Sequence, residues 1–409
     1  MKRIGIEKIS LYGSSLCLDM RDLAQAREKD PDKVVSDFLI DRRTLLPPWE
    51  DTVTLGANAA RKIVTDAERK DIGLLVVGTE SSVDFGKPVS TNIHRALKLS
   101  PTVRNYECKH ACYSGAAALD AAVNYVASNL NHGKKALVIS TDFSRRHFNL
   151  KEEFVMGGVA AAVLVSDTPD IIELETQKKG TWTLDTYDTF RPSARHEVGN
   201  NEVSLYSYLD ALEGSYRHYV ENAGEAVDFD SSFRYLAYHT PFAGMAFQAH
   251  RTISNLIKPK AKAELKADFE NRVRPCLKFS RQLGGTYGSS NFVSILSLLC
   301  GDSNVAAGDR IGFFAYGSGA IGEFYSGKIS PDARQRVVEL KLEEDLAARK
   351  TLPVTEYEFL ENLRESHIEN PSFKPDFSLF DGLYDDFYKG KGYLVLSGVE
   401  NFYRNYDWS

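Results

Sequence analysis

Cysteine is scarce in this 409-residue chain. Cys17, Cys108, Cys112, Cys276 and Cys300 are odd in number and scattered, with no Cys-x-x-Cys pair. That excludes a disulfide framework and a thiolate zinc site. The nine histidines show no metal-ligand spacing, and His196-Glu197 is not followed by a second histidine. Long apolar runs are missing too. The longest small-apolar stretch, Gly158 to Val165, falls far below the ~20 residues that span a bilayer. Met1 to Glu7 carry no apolar signal core. A cytoplasmic, reducing location without membrane contact is therefore expected. Charge of one sign is not in excess: 50 basic residues face 56 acidic ones, net −6. No basic stripe is available to track a phosphate backbone, so nucleic acid is not an expected partner.

At 43% apolar and 26% charged residues, the chain is that of an ordinary globular protein, long enough for two domain-sized units. Ile72 to Val77 reads as a buried strand ending at Gly78, preceded by a helix over Ala57 to Val64. Gly115 to Asn129 is alanine-rich and predicts a helix buried over most of its surface. Ala136 to Ser140 and Gly158 to Ser166 are two more buried strands. This alternation predicts α/β layers with a mainly parallel sheet. The theme returns later. Tyr235 to His239 reads as a strand, Met245 to Leu256 as a helix, Phe292 to Leu299 as a buried helix, and Ile311 to Tyr316 as a strand entering the turn Gly317-Ser318-Gly319. The expected division is a duplication, with residues 1–167 as one half and 168–409 as the other. The polar, aromatic segment 168–230, with turn-like Arg191-Pro192, covers or bridges them.

Chemistry concentrates at a few positions. Cys112 precedes the buried helix, where a positive dipole end stabilises a thiolate and an anionic intermediate. On local context it reads equally as a nucleophile or as a packed cysteine. Glu80 follows a parallel strand, where groups face a site; taken alone, a solvated loop carboxylate is the commoner reading. His239 ends a strand and could hydrogen-bond a substrate carbonyl; taken alone, it reads more simply as a satisfied core histidine. Gly86-Lys87-Pro88 lacks the spacing and hydroxyl of a phosphate loop. The Gly317 to Gly322 turn matches Gly-x-Gly-x-x-Gly, but a strand rather than a helix follows, which excludes a dinucleotide fingerprint.

These pieces occur together in one order: LGANAARKIV from Leu55, GTESSVDFGKP from Gly78, ACYSG from Ala111, HTPF from His239 and YGSGAIGEFYSG from Tyr316. Over essentially its whole length the chain resembles the 3-hydroxy-3-methylglutaryl (HMG) synthases, within the thiolase-like condensing enzymes. The resemblance implies a five-layer αβαβα duplication and a homodimer, with no metal or cofactor. It implies Cys112 as the nucleophile that carries an acetyl group, Glu80 as the base for its methyl proton, and His239 as the group that polarises the acceptor ketone. The Cys112 amide and those of Ser318, Gly319 and Ala320 would hold the oxyanion.

Two departures bear on substrate. CoA-using relatives follow the histidine with His-x-Pro-Phe-x-Lys, and here the lysine position is Gly244. With HTPFAGM from His239, the chain is most similar to the branch that performs β-branching in polyketide assembly, taking substrates from donor and acceptor acyl carrier proteins. Where the family has Gly-Asn the chain has Gly284-Gly285, leaving Tyr287 or Asn291 to orient the acceptor. The alternatives are an HMG-CoA synthase of primary metabolism acting on acetyl-CoA and acetoacetyl-CoA, or a non-condensing carrier-binding homologue. Lys258, Lys260, Lys262 and Lys266 form a basic cluster that could meet an acidic carrier, or simply a solvated helix face.

Overall fold

The computed structural model describes residues 2–128 and 131–409. Its centre is a nine-stranded sheet. The strands are β1 (Gly5–Tyr12), β2 (Ile72–Gly78), β3 (Arg104–Cys108), β4 (Lys135–Phe143), β5 (Gly158–Ser166), β6 (Ile172–Thr183), β7 (Tyr235–Tyr238), β8 (Arg310–Gly317) and β9 (Ile321–Ile329). They lie in the order β7-β8-β9-β6-β1-β5-β4-β2-β3. The two ends of this order are the two halves of a duplication. In one, β1-β5 and β5-β4 are antiparallel and β4-β2 is parallel; in the other, β6-β9 and β9-β8 are antiparallel and β8-β7 is parallel. The halves join through a short pairing of β1 with β6, Gly5 opposite Glu173 and Ile6 opposite Ile172.

The helices complete five layers. The helices α1 (Thr52–Ala60) and α2 (Val89–Ala96) pack on one face of the first half, against Leu75, Val77, Leu137 and Ile139. Two helices lie in the middle: α3 (Ser114–Ala127) and, as the counterpart in the second half, α6 (Ser290–Gly301). They share one core with Val76 and Val138 of the first half and Ile311 and Phe313 of the second. On the far side, α4 (Asn201–Asn222) and α5 (Met245–Ile257) cover Leu236, Phe314 and Phe324. This is the αβαβα order expected from the resemblance. No helix among the described residues is long and apolar enough to cross a membrane.

Three expectations are corrected. The sheet is mixed, with antiparallel neighbours outnumbering parallel ones. Strands buried on both faces are apolar throughout whichever way their neighbours run, so composition does not report direction. The three-residue turn between β8 and β9 forces an antiparallel pair. The helix expected from Ala57 to Val64 begins at Thr52, because Asp51 caps it there in a capping box with Thr54, and it ends at Ala60. The segment from residue 168 does more than cover: it opens with β6, a twelve-residue strand inside the sheet. The expected helix from Gly115 is present, and its final residue, Asn129, lies outside the described residues.

Candidate active site

Glycines let three backbones crowd around Cys112. A Cβ on Gly78, at the end of β2, would lie 2.3 Å from the Ser114 carbonyl oxygen, and one on Gly115 would lie 2.0 Å from that of Gly288. Strand end, helix start and the approach to α6 therefore touch directly. The loop from Lys109 turns through Ala111, whose φ is 41°. It closes with hydrogen bonds from the amides of Tyr113 to the His110 oxygen and of Ser114 to the Ala111 oxygen. Cys112 is held two residues ahead of the helix.

Its thiol donates to Glu80 Oε2 at 3.8 Å. Burial, and then the Glu80 carboxyl, push the thiol well above its ordinary range. The thiolate expected from a helix start is thus not the resting species: desolvation and a neighbouring acid outweigh the dipole. The other four cysteines are free as well.

Glu80 is fixed from behind. Its amide donates to Asp142 Oδ1 at 2.8 Å, and the Thr79 hydroxyl donates to the same atom at 2.9 Å. Asp142 is fully buried. Glu80 Oε1 lies 3.3 Å from Arg191 Nη2, which also lies 3.2 Å from Glu197 Oε2. Arg191 Nη1 donates to Ser81 Oγ at 3.2 Å, and the guanidinium stands over the Tyr287 ring at 5.7 Å. Burial pushes Glu80 up to about 8 despite the opposing pull of Arg191, with Asp142 and Glu197 adding to the rise. Sequence reading took Arg191 as part of a turn and did not single out Glu197 or Asp142. Only the Arg-Pro step marked that segment, and nothing local ties it to Glu80 across more than a hundred residues.

His239 follows β7 and is 2% exposed. Its amide donates to the Phe314 oxygen at 2.7 Å, and its carbonyl accepts from the Tyr208 hydroxyl at 2.8 Å. Burial pulls the imidazole down to about 3, so it is neutral. Tyr316 connects His239 with the cysteine: its ring lies 6.2 Å from His239 and its hydroxyl is within electrostatic reach of Cys112. That hydroxyl donates to Asp188 Oδ2 at 2.7 Å.

The turn after β8 lies on the cysteine loop, since a Cβ on Gly317 would come within 2.4 Å of the His110 oxygen. The expectation that three turn amides serve as oxyanion donors narrows here. Gly319 donates to Asp188 Oδ1 at 2.8 Å and Ala320 to the Leu184 oxygen at 2.6 Å. Their N–H groups are committed to holding the turn, which leaves Ser318. Tyr287 is buried with φ 47°, its hydroxyl donating to Met156 Sδ at 3.5 Å. The Asn291 amide is occupied by the oxygens of Ala237 and Phe314 at 3.0 and 3.3 Å, so it clamps two strand ends and does not replace the missing asparagine. A Cβ at Gly285 would sit 3.0 Å from the Val155 oxygen and 3.3 Å from that of Pro241. Of the lysine cluster, Lys260 is sequestered between Asp230 and Asp268 at 2.6 and 2.8 Å, while Lys258, Lys262 and Lys266 are exposed. Among the described residues no acid, histidine or cysteine group could hold a metal ion.

The family model described as "Hydroxymethylglutaryl-coenzyme A synthase N terminal" matches residues 1–169, and its C-terminal counterpart matches residues 246–408. The chain is 34% identical, over the full length of both, to the polyketide biosynthesis 3-hydroxy-3-methylglutaryl-ACP synthase PksG of Bacillus subtilis (strain 168). It is 32% identical to the hydroxymethylglutaryl-CoA synthase of Enterococcus faecalis, over 87% of this chain and 90% of that one. The HMG synthase of the curacin biosynthetic pathway, solved in complex with an acetyl donor-ACP, superposes over all of both chains with a TM-score of 0.95 and 38% identity. The chain belongs to the hydroxymethylglutaryl-CoA synthase family.

Proposed function

We propose that the protein is a carrier-protein-dependent HMG synthase. It condenses an acetyl group held on Cys112 with a β-ketoacyl thioester on an acceptor acyl carrier protein, giving a β-branched polyketide intermediate. The observation that carries this reading is the contact of the Cys112 thiol with Glu80 Oε2. A nucleophile and a carboxyl base meet at the spot where an acyl methyl would lie.

Cys112 sulfur attacks the donor thioester carbonyl, and the donor thiol leaves with the proton. Glu80 then removes a methyl proton, and the electron pair moves onto the thioester oxygen, held by the amides of Cys112 and Ser318. The enolate carbon bonds to the acceptor's ketone carbon. Neutral His239 holds the ketone oxygen with its one N–H, and the alkoxide takes its proton from the Glu80 acid. Water then releases the acyl group from Cys112. The halves divide this work: residues 1–167 supply Glu80 and Cys112, and residues 168–409 supply His239 and the Ser318 turn.

Gly244 supports carriers over free CoA. Its amide donates to the Phe38 oxygen at 2.9 Å, and a Cβ there would lie 2.4 Å from the Asp37 oxygen. Backbone fills the place from which a lysine would grip an anionic nucleotide. A homodimer is also part of this reading, formed through β3, whose outer edge has no partner strand among the described residues. The test is incubation with acetyl-loaded donor and β-ketoacyl-loaded acceptor carriers, followed by intact mass of the acceptor. The acceptor gains a carboxymethyl branch, and Cys112→Ala abolishes both that gain and acetylation of the enzyme. No gain with active carriers, or acetylation surviving in Cys112→Ala, would sink the reading.

A further inference from the structure

We propose that Arg191, held in place by Glu197, is the positioning residue that sets the charge on Glu80, so that one carboxyl can act first as base and then as acid. This rests on the reading of Glu80 as the base. Its two oxygens are divided: Oε2 faces the Cys112 thiol at 3.8 Å, and Oε1 faces Arg191 Nη2 at 3.3 Å. The same nitrogen lies 3.2 Å from Glu197 Oε2, so two carboxyls share one guanidinium. All three side chains are close to nine-tenths buried, at 13%, 12% and 9% exposure for Arg191, Glu80 and Glu197. The groups facing this centre are the acids Asp142 and Glu197, the neutral Cys112 and Tyr287, and the cation Arg191. Behind Glu197 stand His147, with Nε2 at 3.8 Å, and Arg145.

Burial holds the Glu80 carboxyl up, and the charges of Asp142 and Glu197 add to the rise, while the Arg191 guanidinium opposes it. The closeness of Arg191 to Oε1 therefore sets how readily Glu80 gives up its proton. When the methyl C–H bond breaks, its proton goes to Glu80 Oε2, its electron pair becomes the enolate, and Arg191 is left paired with Glu197. When the acid gives that proton to the new alkoxide, Glu80 regains its charge opposite Arg191. The directions agree: Arg191 pulls Glu80 down, and Glu197 pushes it up.

The test is single-turnover condensation by enzyme already acetylated on Cys112, followed against pH. The rate rises with pH as Glu80 ionises. Arg191→Gln is expected to move that rise to higher pH by about one unit, about tenfold in rate on its slope. Glu197→Gln moves it to lower pH, and Arg191→Lys restores it toward the parent. A packing role alone would lower the plateau in both variants and leave the rise in place. A rise that does not move, or that moves the same way in both, overturns the assignment. If Arg191→Gln does not fold, the shift of Glu197→Gln to lower pH, with Arg191→Lys staying near the parent, decides. Glu80→Gln run alongside separates the two readings. Parental condensation there removes Glu80 as the base; loss of condensation, with unmoved rises in the other variants, removes only Arg191.

Discussion

Burial of a neutral imidazole ties the stability of this protein to pH. His239 is drawn down to about 3 by desolvation, whereas in an unfolded chain it titrates near ~6.5. Between those values the unfolded state binds the extra proton. The stabilising contribution is therefore complete above pH ~6.5 and is lost as the pH falls toward the folded value, at about 1.4 kcal/mol per unit. Glu80, and Glu50, which burial raises to about 7, act with the opposite sign. Their contribution is present at low pH and fades as the pH rises through their folded values. His239→Asn removes only the first effect. Denaturant melts at about pH 7 and about pH 5 are expected to show a smaller acid loss in the variant than in the parent, by about 2 kcal/mol. An equal loss would mean that the imidazole is not held neutral. Cys112, Glu80 and His239 were all legible as positions, because each stands in a short string at the end of a strand or the start of a helix. Their ionisation was not. The thiol's state depends on Glu80, and that of Glu80 on Arg191 and Glu197, contacts that no local string encodes.

At the scale of elements, the helix Pro31–Phe38 closes the space beside a position that the sequence reads through its charge alone. The absent lysine at position 244 reads as a lost cation. In the fold it is a steric matter first: Gly244 donates to Phe38 and sits against the Asp37 oxygen, and Phe242 of the histidine motif packs edge-on to Phe38 at 5.5 Å. A side chain at 244 must push the end of this helix away. Gly244→Lys is therefore expected to lower stability by about 1–3 kcal/mol, as overpacking does, without conferring turnover of free acetyl-CoA and acetoacetyl-CoA. Denaturant midpoints and a CoA-release assay check it; CoA turnover gained at parental stability would show that the lysine alone decides. Element positions were otherwise well marked. The strand Gly158–Ser166 and the helix after Cys112 fall where apolar runs and alanine place them. Strand direction was not marked, since a strand buried on both faces looks the same beside a parallel or an antiparallel neighbour.

At the scale of the whole molecule, the duplication leaves one structural question open to experiment. In the sheet order, β3 is an end strand, paired on one side with β2 and on the other with no strand among the described residues. Unpaired edges recruit other strands unless they are blocked. This one is short, carries Tyr106 at 38% exposure, and runs directly into the loop that holds Cys112. Pairing of two β3 edges about a twofold axis would continue the sheet from one copy into the next and brace both cysteine loops from the same contact. Such an edge should tolerate a charge poorly, because the twofold brings each substituted residue toward its own copy. Tyr106→Glu is expected to reduce the solution mass from twice 45.7 kDa to 45.7 kDa, measured by light scattering. Condensation per chain should fall with it as the Cys112 loop loses its brace. A variant that keeps the double mass would place the interface on another face, and a parent that is already monomeric would remove the edge from consideration.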